Sequence, residues 1–118
     1  LIAVQAAHVS PLHQAFHAGA TAVSPAQDPQ PTLAEGIALP KPVRDGEILV
    51  ALRETGGTVL AVTEAKIEAG VAELGRRGFC VEPTSAVIWE GLRQYREQSD
   101  LAPEARLVAV LSGHGLKA

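Results

Sequence analysis

Cys80 is the one cysteine in a chain of 118 residues, so no internal disulfide can form and a disulfide-stapled scaffold is excluded. Aromatic residues are scarce: two Phe, one Tyr and one Trp. Positive charge is not in excess either, since 10 Lys and Arg stand against 13 Asp and Glu, a net charge of −3. A basic face with interleaved stacking aromatics is therefore missing, and nucleic acid is not the expected partner. No apolar run approaches the roughly 18 residues that a membrane helix needs. No basic segment leads into an apolar stretch, so no signal peptide is visible and no membrane partner is expected. Methionine is absent altogether, and the chain opens on Leu1-Ile2-Ala3-Val4-Gln5-Ala6, already a strand-like run. A natural domain rarely starts inside its first strand. The expectation is an intracellular, cytoplasmic chain that forms one portion of something longer.

What is present reads as globular: 47% hydrophobic and 19% charged residues. The length suits one domain spanning residues 1–118, which would bury roughly 65% of its unfolded surface. Four short apolar segments predict strands at residues 1–6, 58–63, 79–82 and 106–111. The second and fourth are continuously apolar, as strands covered on both faces are. Helices fall between them. Ser10-Pro11 opens the first and Gly19 closes it. Asp45 caps the second, which carries Ile48, Leu49 and Leu52, and Gly56-Gly57 stops it. Thr63 caps the third, where Ile67, Val71 and Leu74 form an apolar stripe ended by Gly78. Thr84 or Ser85 starts the fourth. Alternation of this kind predicts an α/β fold of three layers, a mainly parallel sheet of about four strands flanked by helices. Residues 20–43 hold five of the eight prolines and read as a long irregular loop.

In open α/β sheets, ligands bind beyond the carboxyl ends of the strands. Three segments leave strand ends or the long loop with chemistry-bearing residues: Ala34-Glu35-Gly36-Ile37, Glu82-Pro83-Thr84-Ser85-Ala86 and Ser112-Gly113-His114-Gly115. Each has a plain reading. Thr84 and Ser85 can cap their helix, Gly113 and Gly115 can serve a turn, and Glu35 and His114 can sit in solvent. A hydrolase triad of Ser112, His114 and Glu82 lacks the glycine two residues before the serine that a nucleophile elbow requires. His13 and His17 have the i, i+4 spacing of metal ligands, but neither a general-base Glu between them nor a third ligand is evident. Gly113-His114-Gly115 has no following helix to receive a phosphate, so it is not a dinucleotide fingerprint.

Together the three segments resemble those of fold-type II pyridoxal-phosphate enzymes, the tryptophan synthase beta-like superfamily. Pro31-Thr32-Leu33-Ala34-Glu35-Gly36-Ile37-Ala38 is similar to the stretch that passes along the cofactor ring in that group. Val81-Glu82-Pro83-Thr84-Ser85-Ala86 is similar to its later strand-to-helix turn. Leu111-Ser112-Gly113-His114-Gly115-Leu116-Lys117 resembles the ending typical of threonine synthases, whereas threonine deaminases and serine racemases usually carry Ser-Gly-Gly-Asn there. The order and spacing of the three also match, over nearly the whole chain, as the C-terminal part of a longer enzyme.

The resemblance implies a cofactor, pyridoxal 5′-phosphate, in the parent enzyme, with Ser112 meeting the pyridine nitrogen. A neutral hydroxyl does not force that nitrogen to be protonated. That weakens the electron sink and favours elimination and replacement. It further implies that Ala34, Glu35 and Gly36 line the ring edge, and that Glu82 and Gly113 lie at the site. The implied reaction is conversion of O-phospho-L-homoserine and water to L-threonine and phosphate. The implied partners are a small-molecule amino-acid substrate and further copies of the chain in a homo-oligomer. The group's Schiff-base lysine sits upstream in a Ser-Phe-Lys-like motif. Lys41, Lys66 and Lys117 lack that context, and the glycine-rich phosphate loop is missing too. This chain alone is then expected to hold no cofactor and to be inactive. Two alternatives remain open: a threonine or serine dehydratase-like enzyme, and a non-catalytic α/β interaction module.

Overall fold

The computed structural model describes residues 1–117. Two strands form, β1 (Ile2–Ala6) and β2 (Thr58–Val62), and they pair in parallel with Ile2 opposite Thr58 and Ala6 opposite Val62. Among the described residues there are four helices: α1 (Pro11–His17) and α2 (Asp45–Glu54) lie between the strands in the chain, and α3 (Glu64–Arg76) and α4 (Pro83–Gln98) come after β2. Single 3-10 turns occupy Ala7–Val9, Glu35–Ile37 and Gly115–Lys117.

The pleat explains the layering. Alternate residues of a strand face opposite sides. Ala3 and Val59 pack with Leu12, Ala15, Leu49 and Leu52 of α1 and α2 on one face. Val4, Ala6 and Val62 pack with Ile67 of α3 and Val87 of α4 on the other. The result is the expected α/β arrangement of three layers, helices above and below a sheet. Leu49, Val59, Val62, Ile67 and Val87 are all completely buried, each contributing about 1.5–3 kcal/mol. Helix α4 approaches β1 closely because Gly91 has no side chain. A Cβ there would lie 2.6 Å from a methyl of Val4.

The sheet has fewer strands than the sequence predicts. Residues 79–82 contribute only an isolated antiparallel bridge between Val81 and His114. Residues 106–111 form no strand, and Val108 is 91% exposed. The reason is physical: an apolar run becomes a strand only when a neighbour takes up its backbone groups, and residues 106–111 find none among the described residues. The long loop at 20–43 is irregular as expected, apart from the turn at Glu35–Ile37.

The helix starts also differ from the expected capping. The side chains of Ser10 and Thr63 make no capping bond. Asp45 lies within the first turn of α2, after Arg44, and accepts the amide of Val23 at 2.7 Å instead. That bond ties the long loop to α2 and holds the Asp45 carboxyl below its usual range, with help from the Gly46 amide and Lys41 against partial burial. Helix α4 begins at Pro83, a residue suited to a first helical position because it has no N–H to satisfy.

Candidate functional site

The three segments singled out from the sequence meet at the first turn of α4. Thr84 and Ser85 bring them there, and neither caps its own helix; the residue at the cap position is Glu82, which makes no side-chain cap bond either. Thr84 Oγ1 accepts the amide of Gly36 at 3.2 Å. Ser85 is 1% exposed, and its Oγ accepts the amide of Gly113 at 2.7 Å. The same hydroxyl lies 3.4 Å from the Gly113 carbonyl and 3.5 Å from Ser112 Oγ. Two consecutive side chains thus fasten the Ala34–Gly36 stretch and the Ser112–Gly113 stretch to one helix.

Glu82 and Gly113 interlock. The Glu82 amide donates to the Gly113 carbonyl at 3.2 Å. The Glu82 side chain fills the space where a Cβ on residue 113 would stand, 1.7 Å from its Oε1 and 2.0 Å from its Cδ. Only glycine leaves room for that carboxylate, which also sits at the positive end of α4, where negative charge is stabilised.

Each residue expected at the site has a definite place. Ala34 is completely buried, packed with Ala6 and Val62, the last residues of the two strands. The segment therefore lies across the carboxyl ends of the strands, where ligands bind in such sheets. Glu35 and Gly36 follow it into solvent. Ser112 is exposed at the mouth of a cavity of about 330 Å³ lined in part by Cys80, Val81, Gly113 and His114. Glu82 is half-buried and Gly113 buried.

The other readings fare differently. His114 Nδ1 accepts the amide of Leu116 at 3.2 Å, and Ser112 meets Ser85 rather than His114, so no triad is assembled. His17 Nε2 bonds the carbonyl of Val59 at 2.9 Å, and His13 packs against His17 with ring centres 4.5 Å apart. Burial, and then the neighbouring His17, lowers the His13 pKa. Among the described residues, no three His, Cys, Asp or Glu side chains converge as metal ligands. No helix among them is long and apolar enough to cross a membrane.

The family model described as pyridoxal-phosphate dependent enzyme matches residues 1–113. This chain belongs to that family. It is 36% identical over 97% of its length to a threonine synthase of Methanosarcina acetivorans, and 34% identical over 97% to one of Methanocaldococcus jannaschii. It spans 28% of the length of each of those relatives. Among solved structures, a T.th. threonine deaminase matches 86% of the chain, which covers 41% of that protein, with a TM-score of 0.67 and 19% identity, a likeness of fold.

The family is described by its dependence on pyridoxal phosphate. Ser112 is exposed, and the one side-chain partner of its hydroxyl among the described residues, Ser85 Oγ, stands at 3.5 Å. A hydroxyl so loosely engaged keeps both donor and acceptor capacity for a ring nitrogen. Lys41 is engaged with Asp45 at 4.0 Å, and Lys66 lies on exposed α3 surface, so neither stands at this site. The Lys117 side chain lies outside the described residues.

Proposed function

We propose that this chain forms the C-terminal part of a pyridoxal-phosphate-dependent lyase, a threonine synthase that converts O-phospho-L-homoserine and water to L-threonine and phosphate. One observation carries the reading. The ring-edge stretch and the segment after the last apolar run are fastened side by side to Thr84 and Ser85, leaving Ser112 exposed, in a chain more than one-third identical to a threonine synthase. Pyridoxal phosphate, when bound, supplies an electron sink for the carbon that bears the substrate's amino group. Ser112 would meet the ring nitrogen with a neutral hydroxyl, which would moderate that sink. Glu35 and Gly36 would line the ring edge, with buried Ala34 anchoring them. Glu82 and Gly113 hold the serine's loop in place. The Schiff-base lysine and the phosphate loop come from outside residues 1–118, so the piece alone is inactive. The whole enzyme works in the cytoplasm as a homo-oligomer, on a small amino-acid substrate.

The test uses the cofactor-loaded enzyme that carries this chain. Supplied with O-phospho-L-homoserine, it should release phosphate and threonine in equal amounts. Ser112→Ala should weaken cofactor binding and lower turnover, a contact of about 0.5–1.5 kcal/mol, while Ser112→Thr should be mild. Ser112→Asp should protonate the ring nitrogen and shift the cofactor absorbance. Ammonia release from threonine in place of phosphate release would assign a dehydratase. Full activity and affinity in the Ala variant would make Ser112 a turn residue.

A further inference from the structure

The ring-edge stretch is held at a second point, far in sequence from Thr84. Glu64, the first residue of α3, follows directly on β2 and its cap residue Thr63. Its Oε1 accepts the Thr32 hydroxyl at 2.7 Å, and its Oε2 accepts the Leu33 amide at 2.8 Å. The Thr32 oxygen in turn accepts the amide of Ala34 at 3.1 Å. His8 joins the cluster: its Nδ1 bonds the carbonyl of Pro31 and lies 3.7 Å from Glu64 Oε1. Both carboxylate oxygens are thus spent on the two residues that lead into Ala34, Glu35 and Gly36.

We propose that Glu64 is a positioning residue for the candidate site, acting through Thr32 and Leu33 to fix the Ala34–Gly36 wall before any cofactor arrives. The inference rests on the reading of that stretch as the cofactor's ring edge. The physical case is one of preorganisation. The loop at 20–43 is long and irregular, and such loops sample many conformations unless tied. Here the amides of residues 33, 34 and 36 are each bonded by a side chain, from Glu64, Thr32 and Thr84. Bonds to a carboxylate are among the stronger ones. A wall fixed in advance spares the ordering cost that binding would otherwise include. Glu64 stands just past the end of β2, so it ties the loop to the sheet.

Two measurements test this. The first is amide hydrogen exchange on the chain. Glu64→Ala should speed exchange at Leu33 and Ala34 at least tenfold and leave Gly113, held by Ser85, unchanged. Glu64→Gln keeps an acceptor and should restore most of the protection. The second is cofactor affinity in the enzyme that carries the chain, read from pyridoxal phosphate absorbance. Glu64→Ala should raise the dissociation constant at least threefold, and Glu64→Gln should not. Thr32→Val removes the relay at an irregular loop position and should speed exchange at Ala34 while Leu33 keeps its own bond to Glu64, which keeps the test decisive if Glu64→Ala fails to fold. Unchanged exchange in both disruptive variants would overturn the clamp. Faster exchange with unchanged cofactor affinity would overturn its role in positioning. If the unaltered enzyme took up no pyridoxal phosphate, the proposed function would fall, while the exchange result would still read the clamp.

Discussion

Replacing Ser85 with Ala removes one oxygen from a place that is 1% exposed. The loss has two parts. The bond from the Gly113 amide, 2.7 Å long, disappears, a net contribution of about 0.5–1.5 kcal/mol. The Gly113 N–H then remains buried with no acceptor, so the cost approaches the desolvation penalty, about 1–3 kcal/mol. Thr84→Val is the matched control. It removes a bond of 3.2 Å from the Gly36 amide, but Gly36 is exposed and water can replace the lost hydroxyl. That change should cost about 0.5–1 kcal/mol. Urea unfolding of the two variants, followed by helical circular dichroism, should therefore separate them by about 1 kcal/mol, with Ser85→Ala the weaker. Amide exchange should show Gly113 losing protection in one variant and Gly36 in the other. Equal midpoints, or a Gly113 amide that stays protected without Ser85, would refute the idea that this serine fastens the C-terminal segment.

Gly113→Ala should destabilise the chain by about 1–3 kcal/mol, because the new methyl and the Glu82 carboxylate claim one space. Adding Glu82→Ala should recover part of that loss, and a denaturant double-mutant cycle measures the coupling. Asp45 titrates below the usual carboxylate range chiefly because it accepts the Val23 amide. Its contribution is complete above the unfolded carboxylate pKa of about 3.9 and is lost as pH falls through the lower folded value. The Val23 amide resonance should therefore move only in strong acid, and Asp45→Asn should abolish that transition.

The parts of the fold legible in the sequence are those set by local pattern. The strands at residues 1–6 and 58–63 are apolar runs whose partners lie within the chain, so the run and the strand coincide. The stripe of Ile67 and Leu74 marks the buried face of α3 for the same reason. Residues 106–111 are as apolar as β2, yet form no strand, because pairing depends on a second segment that periodicity does not report. The candidate site divides along the same line. Ala34, Glu35, Gly36, Glu82, Ser112 and Gly113 were legible as short motifs with a family likeness. Thr84, Ser85 and Glu64 were not legible as fasteners. A hydroxyl or carboxylate at a helix start looks the same in sequence whether it bonds its own first turn or a loop from elsewhere. Asp45 shows the same ambiguity, since its carboxylate serves Val23.

Thr84 and Ser85 are successive residues of a helix, so their side chains leave the axis about 100° apart. Displacing α4 along its axis would carry both attached segments by the same amount and leave their separation unchanged. Turning α4 about its axis would swing them along different arcs and shear one past the other. The contact of Gly91 with Val4, two turns further along, resists that rotation by seating the helix on the strand. The gap between the two segments is thus set by the roll angle of a single cylinder. A substitution at Gly91, remote from every polar group at the helix start, would be felt there as a change in alignment.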